Sequence, residues 1–120
     1  MLNLDTHMLI WMAAGELRPE EHTLVAREPL AISDIVLWVL AMLVRSGRVE
    51  VDLDGREFRQ LLRALTLIPI SLQIARLSTR LDFHSDPADE IIAATSIVES
   101  IPLLTRDRKI LKSRMVPLAR

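Results

Sequence analysis

Three aspartates stand at positions where their side chains can do chemistry together. Asp5 ends a short apolar run, Asp107 follows another, and Asp89 opens an apolar helix. Carboxylates that lie close together repel and raise each other's pKa unless a cation neutralises them. Oxygen ligands suit Mg²⁺ or Mn²⁺, which can activate water for attack on a phosphodiester. If the three side chains meet, the predicted chemistry is that of a metal-dependent nuclease.

Each of these aspartates also has a purely structural interpretation. Asp5 and Asp107 can cap the helices that follow them, and Asp89 is a first-turn acid of the kind that the helix dipole favours. Position alone leaves both interpretations open.

The order of strands and helices decides whether the aspartates can meet. Apolar runs predict strands at 1–5, 29–33, 65–70 and 101–105, with a last strand around 115–118. Helical spacing predicts helices between them, including 34–46, 57–65 and one from Ser71 to near Asp82. This alternation predicts a single α/β domain over 1–120, with helices on both faces of a central, mainly parallel sheet of four to five strands. In such three-layer sheets, ligands bind beyond the carboxyl ends of the strands.

Several side chains have predicted packing roles. Leu72 and Ile74 should face the core from their helix, and Asp86 should cap the helix that contains Asp89. Trp11 and Trp38 should fill the core or an interface.

Composition restricts the function further. The chain has 120 residues, no cysteine, a net charge of −1 and 3% aromatic residues without tyrosine. Without cysteine the chain can form neither disulfides nor thiolate metal sites. The net charge disfavours nucleic-acid binding that is driven by charge alone. The few aromatic residues disfavour stacking platforms for bases. The hydrophobic fraction of 50% and mean hydropathy of +0.27 predict that a partner covers some apolar surface. We expect a cytoplasmic, soluble protein, since no signal peptide or membrane-spanning run is evident.

Three stretches of sequence resemble the VapC-type toxins of the PIN-domain family. They are MLNLDTHMLIWMAAG, AISDIVLWVLAMLVRSGRVEVD and DPADEIIAATSIVESIPLLTRD, which together span essentially the whole chain. The resemblance implies an endoribonuclease of a toxin–antitoxin system with a PIN-like α/β/α fold. It implies that Asp5, Asp89 and Asp107 bind Mg²⁺ or Mn²⁺ and are catalytic.

Residues next to these aspartates have supporting roles in the same interpretation. Thr6 and Thr105 can hydrogen-bond a carboxylate or a metal-bound water, although either hydroxyl can also be a cap. The basic residues Arg106, Arg108 and Lys109 are candidates to contact RNA, the alternative being a solvated helix face. His7, His22 and His84 show no paired ligand spacing, and we assign them no function.

The sequence departs from the family pattern in its central helix. The usual glutamate after the tryptophan is replaced by Val39, which offers no oxygen to a metal, and Val36 replaces a common serine. Asp34 and Glu90 are not expected to substitute for the missing ligand. Loss of such a group commonly lowers metal affinity or activity by about 10- to 100-fold. The alternative function is therefore a catalytically inactive module that binds an antitoxin without cleaving RNA.

The resemblance also implies partners. They are a second copy of the chain, an RNA substrate and a VapB-type antitoxin whose tail inserts at the acidic groove. The wide apolar faces of 6–11 and 36–44 are candidates for the protein contacts.

Overall fold

The computed structural model describes residues 1–120 and has a four-stranded sheet at its centre. In chain order the strands are β1 (Leu2–Leu4), β2 (Leu30–Ser33), β3 (Leu65–Ile68) and β4 (Leu103–Leu104). They lie side by side in the order β3-β2-β1-β4, and every neighbouring pair is parallel. The predicted parallel sheet is confirmed. The predicted strand around 115–118 is reduced to one bridge, between Leu103 and Leu118.

Helices connect the strands and cover the sheet. They are α1 (Thr6–Ala14), α2 (Pro19–Arg27), α3 (Ile35–Arg45), α4 (Arg56–Arg63), α5 (Leu72–Ser78), α6 (Pro87–Glu99) and α7 (Arg108–Leu111). None of them combines the length and the apolar character that crossing a bilayer requires.

Two hydrophobic clusters show that both faces of the sheet are covered. Ile32 belongs to a cluster of 13 buried residues that includes Met8 of α1 and Leu40 of α3. Its neighbour Ala31 belongs to a smaller cluster with Ile74 of α5. Successive residues of a strand point to opposite faces, so the two clusters lie on opposite sides of β2. This confirms the predicted α/β/α layering.

A buried asparagine joins the central strand β1 to α6. Asn3 is fully buried, and its Nδ2 donates hydrogen bonds to the Ile92 carbonyl (3.2 Å) and the Ser96 hydroxyl (2.9 Å). Unpaired polar groups are costly inside a protein, so these bonds favour one placement of α6 against the sheet. They help to fix the helix whose first turn carries Asp89.

Three predictions about α5 and α6 need correction. Leu72 does not enter the core, because it is the first residue of α5 and is 72% exposed, whereas Ile74 is buried. Helix α5 ends at Ser78 rather than near Asp82. Asp86 occupies the cap position of α6, but its side chain makes no capping hydrogen bond. The prediction that each tryptophan fills the core or an interface is confirmed for Trp11, which packs against the core. Trp38 is 58% exposed, so it does not fill the core, and its place in an interface stays a prediction.

Candidate active site

Asp5 lies at the carboxyl end of β1 and begins α1. Its Oδ1 accepts a hydrogen bond from the Met8 amide (2.9 Å), which is the capping bond that its position predicted. Its Oδ2 accepts a hydrogen bond from the Thr105 hydroxyl. A carboxylate oxygen has two lone pairs, so a capping bond does not prevent either oxygen from accepting a further ligand.

Thr105 links Asp5 to the segment that carries Asp107. Its hydroxyl oxygen accepts a hydrogen bond from the Asp107 amide (3.0 Å) while its proton goes to Asp5. Asp107 in turn caps α7, because its Oδ1 accepts from the Lys109 amide (2.8 Å). The ends of β1 and β4, which are neighbours in the sheet, are thereby joined through one side chain.

Asp89 and Asp107 share one open cleft. Its volume is about 400 Å³, and the other lining residues are His84, Ser85, Asp86 and Lys109, so that every lining residue is polar or charged. The Ser85 hydroxyl donates to Asp89 Oδ2 at 3.2 Å. A larger groove of about 640 Å³ lies between α1, the link after α3, and α4, and it contains none of the three aspartates.

The electrostatics of the aspartates show that they are close enough to interact. Burial raises the pKa of Asp5, and the charge of Asp89 raises it further. Burial also raises the pKa of Asp89, and the charges of Asp107 and Asp86 add to this shift. The charge of Asp89 therefore interacts with Asp5, and the charge of Asp107 interacts with Asp89.

No internal cation neutralises this charge by a direct ion pair. The two ion pairs of the chain join the amino terminus to Glu28 and Arg106 to Glu21. The pKa of Asp5 is lowered by hydrogen bonds from Thr105 and Met8, the pKa of Asp89 is lowered by the hydrogen bond from Ser85, and the imidazole of His7 lowers both. The carboxylates of Asp5, Asp89 and Asp107, which form the acidic edge of the sheet, therefore make no salt bridge within the chain.

The chemistry of this edge fits a hydrated divalent cation, although no three acidic or histidine side chains form a ready-made metal cluster. Mg²⁺ usually keeps several waters and binds through one or two carboxylates, so a closed cage is not required. Thr6, which is 3% exposed and follows Asp5, has a buried hydroxyl oxygen without a hydrogen-bond partner. Buried polar groups of this kind usually bind water.

The three basic candidates differ in their availability. Arg108 and Lys109 are exposed, and Lys109 lines the cleft beside Asp89 and Asp107. Arg106 instead forms an ion pair of two hydrogen bonds with Glu21, so its positive charge is already neutralised by a carboxylate of the same chain. The predicted contact of Arg106 with RNA would require that pair to open.

Comparison with known proteins identifies the family. The PIN domain profile matches residues 3–114. The chain belongs to the PIN domain family. This PIN-domain chain is 28% identical to ribonuclease VapC22 of Mycobacterium tuberculosis, over 92% of its own length and 90% of that protein. The predicted resemblance to the VapC type is thus confirmed.

Solved structures agree with this assignment. A toxin–antitoxin complex from Klebsiella pneumoniae is 27% identical, with a TM-score of 0.70 over 93% of this chain and 91% of that one. VapBC2 from Rickettsia felis, bound to a DNA fragment from its promoter, is 21% identical with a TM-score of 0.76, over 99% and 98% of the two chains. The second comparison supports the PIN fold.

The departure from the PIN pattern lies in α3. Val39 is half-buried between the exposed Trp38 and the buried Leu40, and its isopropyl side chain has no oxygen or nitrogen atom that could bind a metal. Asp34 precedes α3 and has one buried carboxylate oxygen without a hydrogen-bond partner. That Asp34 does not replace the missing glutamate remains a prediction.

Two features of the site were not recognised in the sequence. His7 and His84 lie at the acidic edge, although neither shows ligand spacing. Ser85 hydrogen-bonds Asp89 from four residues away. The only indication of these residues in the sequence was that His7 lies near Asp5 and that His84 and Ser85 lie in the loop before α6.

Proposed function

We propose that this PIN-domain protein is a VapC-type toxin, an endoribonuclease that uses Mg²⁺ or Mn²⁺. The observation that supports the proposal most directly is the set of Asp5, Asp89 and Asp107 at the carboxyl edge of a parallel sheet, where Asp5 is buried and Asp89 and Asp107 line one open cleft. The name of the Mycobacterium tuberculosis relative, a ribonuclease, supports RNA as the substrate.

In this proposal the three aspartates hold the ion through their carboxylate oxygens. A bound divalent ion would supply charge neutralisation and an activated water for hydrolysis of a phosphodiester. Thr105 orients the Asp5 carboxylate, and Ser85 orients that of Asp89. The exposed Lys109 and Arg108 would attract the RNA backbone to the open cleft, whose polar lining offers no stacking platform for bases.

A second candidate function follows from Val39. The glutamate that the family pattern places at position 39 is missing, and no three acidic or histidine side chains form a metal cluster. The protein can therefore be a PIN module that binds an antitoxin without cleaving RNA. The related complexes contain toxin and antitoxin, which supports a VapB-type antitoxin as partner for either function.

The surface offers two features for protein partners. The groove of about 640 Å³ is lined by both charged and apolar residues, and the apolar ones include Ile10, Phe58 and Leu61. Trp38, exposed on α3, extends the apolar surface that we proposed for contacts with an antitoxin or a second copy of the chain. Large apolar side chains left in solvent are typical of interaction surfaces.

One comparison separates the two functions. Cleavage of RNA is measured with Mn²⁺ for the wild-type chain and for Asp89→Asn, and binding of a VapB-type antitoxin is measured for both. Cleavage by the wild type and none by the variant supports the ribonuclease. Antitoxin binding without cleavage by either protein supports the inactive module. Equal cleavage by both proteins would contradict a role for Asp89.

A further inference from the structure

Arg106 is held at the junction of α1 and α2 by several contacts at once. Its Nε donates to Glu21 Oε2 (2.8 Å), and its Nη2 donates to Glu21 Oε1 (2.7 Å). The same Nη2 lies 3.3 Å from the Glu16 carbonyl oxygen. The guanidinium carbon lies 3.9 Å from the centre of the Trp11 ring, in a cation–π arrangement.

Glu21 is itself fixed in position. Its side chain is 8% exposed, and its Oε1 also accepts a hydrogen bond from the Arg18 amide (2.8 Å) at the start of α2. The anchor of Arg106 is therefore part of a helix terminus rather than a mobile surface carboxylate. Bidentate arginine–carboxylate pairs fix geometry more strictly than single hydrogen bonds do.

The Glu21–Arg106 pair matters for the candidate site because of where Arg106 lies in the chain. Arg106 is the only residue between Thr105 and Asp107, and both of these contribute to the acidic edge. The segment 105–107 has no regular secondary structure, because β4 ends at Leu104 and α7 begins at Arg108. Without a helix or strand to hold it, the segment depends on side-chain contacts for its position.

We infer that Glu21, acting through Arg106, is a positioning residue that holds the segment 105–107 so that Thr105 and Asp107 meet Asp5 and Asp89. The consequence for metal binding rests on the proposed function, whereas the positioning itself can be tested without metal. Arg106 is assigned here to the architecture of the site and not to the binding of RNA.

The first test is amide hydrogen exchange in metal-free protein. The probes are the amides of Asp107 and Lys109, whose hydrogen bonds end on Thr105 and Asp107 side chains. In Glu21→Gln, which keeps an acceptor for the Arg18 amide, we expect exchange at both probes to be roughly tenfold faster, as for loss of one charge-assisted hydrogen bond. The Ile74 amide, capped by Ser71, is the internal reference and should not change.

Two further variants complete this test. Glu20→Gln makes the same chemical change on the exposed neighbouring residue and should leave exchange at both probes unchanged. Arg106→Lys keeps the charge but loses the two-bond geometry, and it should fall between wild type and Glu21→Gln. Unchanged exchange at Asp107 and Lys109 in Glu21→Gln, with the variant folded by circular dichroism, would overturn the inference.

The second test measures Mn²⁺ binding by calorimetry. The parent protein for this test carries Val39→Glu, because the added carboxylate is expected to raise the affinity for Mn²⁺ into a measurable range. Adding Glu21→Gln should weaken binding by about tenfold, as is typical for residues that orient ligands. Undiminished Mn²⁺ affinity, in a protein where Asp89→Asn abolishes binding, would overturn the role of Glu21 in the site. Absence of Mn²⁺ binding in the parent protein would instead contradict the proposed function and leave the exchange result to decide the positioning.

Discussion

The Thr105 hydroxyl donates a hydrogen bond to the Asp5 carboxylate across 100 residues of chain, and this bond lowers the pKa that burial raises. The same oxygen accepts from the Asp107 amide at 3.0 Å. One side chain therefore connects two of the three aspartates of the candidate site. It also contributes to the pairing of the central strand with the edge strand β4.

Replacing this hydroxyl gives a direct prediction. Thr105→Val keeps the shape of the side chain but removes its hydrogen bonds with the Asp5 carboxylate and the Asp107 amide. It should lower the free energy of unfolding by about 1–3 kcal/mol. Chemical denaturation measures this change. Thr66→Val, at an exposed position of β3, is the matched control and should have little effect. Equal stability of Thr105→Val and the control would show that neither hydrogen bond of Thr105 contributes to the stability of the fold.

Asp89→Asn should have opposite effects on stability with and without metal. Burial and the charges of Asp107 and Asp86 raise the pKa of Asp89 above its ordinary value, so ionised Asp89 destabilises the folded chain relative to the unfolded one. The neutral amide should therefore raise the melting temperature of the metal-free protein. It should also remove the stabilisation that Mn²⁺ gives to the wild type. Thermal unfolding with and without Mn²⁺ measures both effects.

The control for this experiment is Glu99→Gln, an exposed change at the other end of α6. Its melting temperature should increase with Mn²⁺ as much as that of the wild type. If Asp89→Asn responds to Mn²⁺ in the same way as this control, Asp89 is not a ligand.

Restoring the acidic residue at position 39 should increase activity. Val39→Glu adds the carboxylate that the family pattern places there, and we expect Mn²⁺ affinity and RNA cleavage to rise by about 10- to 100-fold. Val39→Gln has nearly the same shape without the charge and should give little of this gain. Calorimetry and a cleavage assay measure the two quantities. An equal gain in both variants would indicate an effect of packing or polarity rather than of a metal ligand.

The Glu21–Arg106 pair predicts a specific dependence of stability on pH. The hydrogen bond from Arg106 holds the pKa of Glu21 below its ordinary value of 4.5. Ionised Glu21 therefore stabilises the folded chain above pH 4.5, and this contribution is lost as the pH falls through the lowered pKa of the folded state. The difference in unfolding free energy between wild type and Glu21→Gln should be largest near neutral pH and should shrink in acid. A difference that does not depend on pH would contradict this account.

The sequence predicted the layers of the fold well because its strands are short apolar runs with clear ends. The four parallel strands, the helices between them and the capping roles of Asp5, Ser71 and Asp107 all follow from local patterns. Periodicity was less informative at the ends of elements. Leu72 fits the apolar spacing of α5, but as the first helical residue it lies beyond the core.

Side-chain partners could not be predicted, because they depend on packing between distant segments. Glu21 and Arg106 are 85 residues apart, and nothing in either local sequence indicates that they pair. For the same reason Arg106 was grouped with Arg108 and Lys109 as a possible RNA contact. The metal-binding role of Asp5, Asp89 and Asp107 stays a prediction until an ion is titrated.

The order of the sheet has a consequence for synthesis of the protein on the ribosome. β1 is made first but lies between β2 and β4, and β4 begins only at Leu103. The nascent chain therefore cannot complete its sheet, or bring Thr105 and Asp107 to Asp5, until the segment that begins at Leu103 has been translated. A chain released before Asp107 is made therefore cannot form the edge at which the three aspartates lie, and any activity that needs this site must wait for the fourth strand.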